Sequence, residues 1–374
     1  MDAPVRLRVE PARAEDEPAL RRLLREAPLR GRVTVSLERE PSFELAAAVE
    51  GDRHDVLVAR AGDGAVVGLA CRSVRTALVN GAPARVGYLG QLRLTRAGRA
   101  SLRAVREGFA RLAAARRSDE LPFDFTSIVS DNAPARRLLE AGVAGLPTYR
   151  RLGELATLSF AIPRRAPPAQ DGLRVVPGTP ERLEEIAAFL RRHGGARQLA
   201  ACPTAAELAS PERARGLAAG DFLLVERGGT LLACGAIWDQ RGFKQTVVRG
   251  YAPLLAAARP VFAALAALAP ALGLPALPRV GAALPAAFLA FVRVADGAEP
   301  AFAALLDAAL RAARARRLGA LVLGLGADDP LLPAARRRPH VAYRSTLYAV
   351  HGADGARAAA ALDGRPLGPE VATL

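Results

Sequence analysis

The chain repeats itself, and a fold built on it must place each kind of element twice. RLRVEPARAEDEPALRRLL, from Arg6, has the layout of GLRVVPGTPERLEEIAAFL, from Gly172: a short strand, then a helix that opens on acidic residues. DVLVARAGDGAVVGLACRS from Asp55 parallels DFLLVERGGTLLACGAIWD from Asp221, each reading as two apolar strands about a Gly-containing turn. GYLGQLRLTRAG at Gly87 has a weaker counterpart in AFLAFVRVADGA at Ala287. A helix follows each, with Leu102, Val105, Phe109 and Leu112 on one face in the first half and Phe302, Leu305, Leu306 and Leu310 in the second. FTSIVSDNAPARRLL at Phe125 then matches LVLGLGADDPLLPAA at Leu321, a strand ending in an Asp/Asn turn. Hairpins and crossing helices in one order, twice over, predict an α/β fold with mixed sheets, in two tandem copies.

Between the copies, IPRRAPPAQDG is Pro-rich and polar, the composition of a linker. The expected division is residues 1–163, a linker at 164–171, and residues 172–374, with extra material in the second copy at about 241–285. Inside that insertion, Pro260 to Pro278 is uncharged and bounded by Arg259 and Arg279, about the length that crosses a bilayer. Pro260, Pro270, Pro275 and Pro278, together with a reliance on alanine, argue instead for a buried or partner-facing helix and loop.

The formal net charge of +15 raises nucleic acid as a partner. Against that, the basic residues are scattered among acids, and all but Lys244 are arginine, as a coding bias would produce. Cys71, Cys202 and Cys234 form no CxxC and fit a reducing compartment, and charges interrupt the N-terminus where a signal peptide needs its apolar region. The expectation is a cytoplasmic protein without nucleic-acid or membrane partners and without a metal; a homo-oligomer is compatible with the sequence.

Chemistry concentrates in YLGQLRLTRAGRASLRAVREGFARL, Tyr88 to Leu112, where a strand pattern breaks at an Arg/Gly turn and an amphipathic helix begins. Unpaired N–H groups at a helix start, the helix dipole and flanking arginines suit a pyrophosphate. Farther on, Asn132 reads equally as a helix cap and as a ligand contact, with Pro134 tolerated in the first turn.

This order of elements, with its Arg/Gly turn and its Asn turn, resembles the GNAT N-acetyltransferases across the whole first half, and the second half resembles a degenerate copy. The resemblance implies acetyl-CoA as co-substrate, with backbone groups of Leu92, Arg93 and Leu94 along its pantetheine arm. It implies a pyrophosphate cradle at Thr95, Arg96, Ala97, Gly98, Arg99 and Ala100, continued by Ser101, and a contact from the Asn-x-x-Ala pair Asn132 and Ala135. Thr95 stands where the family turn has Arg or Gln, and Leu139 where many members carry the tyrosine that protonates the leaving thiolate. Tyr149 is the nearest phenol beyond that helix and the expected catalytic acid, with Tyr88 another.

In the second copy, acidic Asp296 and Glu299 occupy the equivalent turn and would repel phosphates, so one coenzyme site is expected, with the second copy as scaffold or as a wall of the acceptor site. Lys244 lies close to the only tryptophan, Trp238, and Asp239, Gln240, Lys244 and Gln245 read either as lining an acceptor pocket or as a surface loop. The implied activity is transfer of an acetyl group to a small-molecule or peptide amine. The alternative is an inactive GNAT-derived protein that binds acyl-CoA or a partner.

Overall fold

Two long apolar runs, Val66–Val79 and Ala82–Leu94, are joined by Asn80 and Gly81, whose φ angles are 51° and 84°. Paired positive φ at Asn-Gly is the signature of a tight two-residue hairpin, and Val79 duly faces Ala82 across the turn. The computed structural model describes residues 7–29, 31–95, 102–163, 172–268 and 278–374. The first half comprises β1 (Arg8–Pro11), α1 (Glu17–Glu26), β2 (Val33–Glu38), α2 (Phe43–Ala48), β3 (Arg53–Arg60), β4 (Val66–Val79), β5 (Ala82–Leu94), α3 (Leu102–Ala114), β6 (Glu120–Val129), α4 (Ala133–Glu140) and β7 (Thr148–Ala161). The second comprises β8 (Arg174–Pro177), α5 (Leu183–Gly194), β9 (Ala200–Ala201), α6 (Ala205–Ala209), β10 (Phe222–Arg227), β11 (Thr230–Trp238), β12 (Gln245–Tyr251), α7 (Pro253–Leu268), β13 (Ala286–Val294), α8 (Glu299–Ala315), β14 (Ala320–Gly326), α9 (Leu332–Ala335), β15 (His340–His351) and α10 (Ala356–Ala360).

The repeated order becomes one mixed sheet, β1-β3-β4-β5-β6-β15-β7-β14-β13-β11-β10-β8, with β9 on β4. Each half gives its last strand to the other. β7 runs antiparallel to β14, from Ala161 beside Ala320 to Leu155 beside Gly326, while β15 lies antiparallel to both β6 and β7. The stretch Ser345–His351 of β15 is buried throughout, as a strand with neighbours on both edges and layers on both faces must be. The linker expected at 164–171 lies outside the described residues.

Helices cover both faces. α3 and α4 pack on one face over Leu89, Ile128, Tyr348 and Val350; α1 and α2 pack on the other over Val58, Leu69 and Cys71. In the second half α8 and α5 take the corresponding places. β12, inside the stretch expected as extra material, pairs antiparallel with β2, and β9 pairs with β4, so further strands of the second half join strands of the first. α7 carries Pro260 inside it, and among the described residues no helix is long and apolar enough to cross a membrane.

Candidate active site

β5 and β6 pair in parallel from Arg85 beside Glu120 to Tyr88 beside Phe125, then part, leaving a notch between them. β13 and β14 do the same, parting beyond Phe288 and Val322. At the start of each notch the outer strand bulges. Leu69 and Cys71 face Arg93 and Gly90, so Gln91 and Leu92 together oppose one residue; likewise Phe291 and Val292 lie between Arg293 and Ala290, which face Cys234 and Ala236. Gln91 and Phe291 each have φ of 55°, a left-handed conformation that few residues other than glycine adopt. The second copy shows where the bulge points its main chain: Phe291 N–H donates to Glu370 Oε2 at 2.6 Å. Gly368, Pro369 and Glu370 line a small cavity there with Leu289, Val292 and Arg293, and Leu367 and Val371 pack against Gly326 and Gly324 of β14.

The closed end of the first notch is clamped by charge. Arg72, fully buried on β4, reaches across Gly87 to Asp124 (2.9 Å) and Glu120 (2.6 Å) on β6; Arg53 also holds Glu120, and Arg116 holds Asp124, each at 2.9 Å. Burial works against the Arg72 charge, but Asp124 and Glu120 outweigh it and hold its pKa above the ordinary value. A Cβ at residue 87 would overlap Asp124 Oδ1, so this crossing needs glycine.

On the face away from α3, a buried polar basin adjoins the mouth of the notch. Tyr88, in the last pair before the strands part, bonds Ser127 Oγ at 2.9 Å, and burial raises its pKa although that bond opposes the shift. Arg75 lies over the Tyr88 ring, 5.4 Å from its centroid, and donates to Thr373 Oγ1 at 2.7 Å. Its pKa is lowered to about 10 by burial. Beside it, Glu50 is held by Arg39 at 2.6 Å and Lys244 at 3.3 Å. Burial alone would raise the Glu50 pKa; Arg39, Lys244 and Arg75 together bring it below the usual value. Lys244 also reaches the main-chain oxygens of Ala372 and Leu374, so this basin is built from both halves.

The residues expected from sequence distribute around these features. Leu92 and Leu94 turn their side chains to an apolar pocket under α3, lined also by Val9, Leu57 and Phe109, while Arg93 is set near Arg39 and Cys71 and has its pKa lowered by burial. Thr95 N–H donates to Val67 O at 2.9 Å. Arg96, Ala97, Gly98, Arg99, Ala100 and Ser101 lie outside the described residues. Asn132 caps α4, accepting from Ala135 N at 3.4 Å, and Ala135 packs on the core beneath.

Tyr149 is on β7, separated from β6 by β15, with its ring against Phe109 (6.3 Å) and Tyr348 (5.7 Å) and its pKa raised by burial. Trp238 is a core residue, donating to Arg215 O at 2.7 Å and stacking on Phe291. Lys244 therefore parts company with Trp238 and joins the basin. Gln91, Arg75 and Glu50 were not singled out by sequence; the constant spacing between Gln91 and Phe291 in the repeat, and an arginine within the apolar run of β4, are the signals that mark two of them. Cys71 and Cys234 are buried thiols with pKa pushed up to about 12, and among the described residues no His, Cys, Asp and Glu group has the geometry to hold a metal.

No protein-family model matches the sequence, and no curated protein matches it by sequence. Solved structures match by fold. The chain is similar to a GCN5-related glucosamine N-acetyltransferase region of a fungal multi-domain GH3 β-N-acetylglucosaminidase, with TM-score 0.59 and 14% identity over 93% of this chain and 38% of that one. This chain thus spans well under half of that fungal protein. It is similar over 94% of its length to Saccharomyces cerevisiae N-myristoyltransferase with bound myristoyl-CoA, at TM-score 0.59 and 11% identity, covering 85% of that chain. A GCN5-related N-acetyltransferase from Sphaerobacter thermophilus aligns over 98% of both chains, at TM-score 0.52 and 13% identity. The class of structure is therefore the GNAT-type acyltransferase fold. In this chain that fold occurs as two halves sharing one sheet.

Proposed function

We propose that the chain is an acyl-CoA-dependent N-acyltransferase with one coenzyme site, in the notch between β5 and β6, that the acyl group is acetyl and that the acceptor is an amine. The observation that supports this most directly is the bulge at Gln91. Its twin at Phe291 presents a main-chain N–H to a carboxylate oxygen, and a donor so held at the parting of two strands suits a thioester carbonyl and the oxyanion that forms from it. In this reading the amine attacks the carbonyl carbon, Gln91 N–H holds the oxyanion, and collapse breaks the carbon–sulfur bond. The amine loses its proton through water. The departing thiolate takes one from a phenol, for which Tyr88, at the mouth of the notch, is the leading candidate and Tyr149 the second.

Calorimetric titration with acetyl-CoA and with myristoyl-CoA tests the reading and the acyl length together. Binding of acetyl-CoA followed by thiol release with an amine is expected; failure of both coenzymes to bind at millimolar concentration would overturn it. Tyr88→Phe is expected to slow thiol release by roughly 10²-fold or more, in the range of a lost general acid, with Tyr149→Phe close to the parent. A reversed order would move the role to Tyr149. A second reading, an acyl-CoA-binding protein without turnover, is favoured by Leu139, which is buried in apolar core where the family's acid would stand. Coenzyme binding without thiol release across a panel of amines would establish it.

A further inference from the structure

The basin beside Tyr88 holds more donors than the described residues satisfy. Arg39 and Arg75 are 2% and 9% exposed, yet among the described residues Arg39 Nη1, Arg75 Nε and Arg75 Nη2 have no hydrogen-bond partner, and neither has Nε of the adjoining Arg93. A guanidinium offers five donors and no acceptor, so another donor cannot meet this need. The negative groups at hand are already engaged. Glu50 accepts from Arg39 and faces Lys244, and Glu370 accepts the N–H groups of Phe291 and Ala372. Glu50 and Glu370 are the acidic side chains at hand, and against them stand the four cations Arg39, Arg75, Arg93 and Lys244, with Arg213 a fifth at the edge.

We infer that this basin receives a carboxylate, and that the acceptor is an amine carrying one, as an amino acid or a short peptide does. A planar carboxylate fits the fork of a guanidinium, and Arg75 presents two of its unpartnered nitrogens beside the ring of Tyr88. The bound carboxylate therefore lies close to the mouth of the notch, so amine and carboxylate are near neighbours in the acceptor. Polyamines are disfavoured by the same charges. The inference rests on the acyl-transfer reading above.

The test measures thiol release by the full chain from acetyl-CoA, and from myristoyl-CoA, with glycine, alanine, leucine, phenylalanine and glutamate against their amides and against spermidine. The expected result is a kcat/KM at least tenfold higher for the acids. Arg75→Gln should remove that preference by raising KM for the acids at least tenfold more than for their amides, with the dissociation constant for the coenzyme unchanged; Arg75→Lys should fall between. Amides or spermidine turning over as fast as the acids in the unmodified protein would overturn the inference and leave the acyltransferase reading intact. Weaker coenzyme binding in Arg75→Gln would overturn it differently, by assigning the basin to coenzyme phosphate. If neither coenzyme binds, the underlying reading fails and the inference with it. The acid and amide comparison needs no variant, so a poorly folding Arg75→Gln does not shield the inference.

Discussion

In the first half the notch between β5 and β6 is clamped at its closed end by Arg72, Asp124 and Glu120, and its bulge residue is Gln91. In the second half the place of Arg72 on the sheet is taken by Ile237, the bulge residue is Phe291, and Glu370 enters the notch to take the bulge N–H. Even the turn after the inner strand differs: Asn132 caps α4, whereas Asp329 is buried in a bidentate pair with Arg197, at 2.6 and 3.2 Å. The backbone bulge is common to both copies, and in the second its N–H is taken by Glu370. On the proposed reading, that carboxylate stands where a substrate oxygen would bind in the first copy, a stronger reason for a single coenzyme site than the acidic turn at Asp296 and Glu299 alone.

The comparison breaks most visibly at the clamp. Arg72→Ala would leave Asp124 and Glu120 short of their buried partner, and a loss of about 3–5 kcal/mol is expected, read as a lower urea midpoint. Ile237→Val, at the equivalent place, should cost only about 0.5–1.5 kcal/mol. If both changes cost the same, the closed end of the first notch is not held by charge. Next in size is the bulge donor. An amide-to-ester replacement at Gln91 removes the N–H alone and should slow acyl transfer by about 10²–10³-fold, the loss of one oxyanion donor. The same replacement at Phe291 should leave the rate unchanged and lower stability by about 1–3 kcal/mol, the cost of leaving a buried acceptor without its donor.

These contrasts also mark how much was legible beforehand. The repeat, the hairpins and the order of elements follow from local pattern, and Asn80-Gly81 announces its turn outright. The exchange of β7 and β15 does not, because an apolar run declares that a strand is buried without saying which strands bury it. That exchange is why Tyr149, adjacent in sequence to α4, ends with β15 between its strand and β6. The Arg/Gly turn was visible as composition, whereas the Gln91 bulge is a backbone conformation that its side chain does not advertise. Glu50, Arg75 and Lys244 come from separate stretches that meet only where the halves join, and in the sequence Lys244 stands out as the one lysine, close to the one tryptophan.

Two buried carboxylates separate the copies by pH. The folded pKa of Glu50 is lowered, so its contribution is present above the ordinary carboxylate pKa and is lost as pH falls through the folded value. Glu370 is raised, mainly by burial, so its contribution is full below the unfolded pKa and is lost as pH rises through the folded one. Glu50→Gln should therefore cost about 1–3 kcal/mol near neutral pH, with the deficit shrinking in acid. Glu370→Gln should show its least favourable comparison with the parent in acid and gain on it toward neutrality. Melting temperatures across the acid-to-neutral range check both, and slopes of the same sign would show that the two sites are not electrostatic opposites.

The smallest expected effect lies at Asn132 and decides between its two readings. As a cap alone, Asn132→Ala should cost about 1 kcal/mol of stability and leave the coenzyme dissociation constant unchanged. Asn132→Ser keeps an oxygen of similar reach for the α4 N-terminus, so it should restore the stability. A ligand role predicts another pattern: both variants bind coenzyme more weakly, whatever their stability. The second copy supplies the control, because Asp329 is locked to Arg197 and Glu370 takes the bulge N–H. Substitution there should alter stability without moving coenzyme affinity, and a shift in affinity from Asp329→Asn would mean that the second notch also takes part in binding.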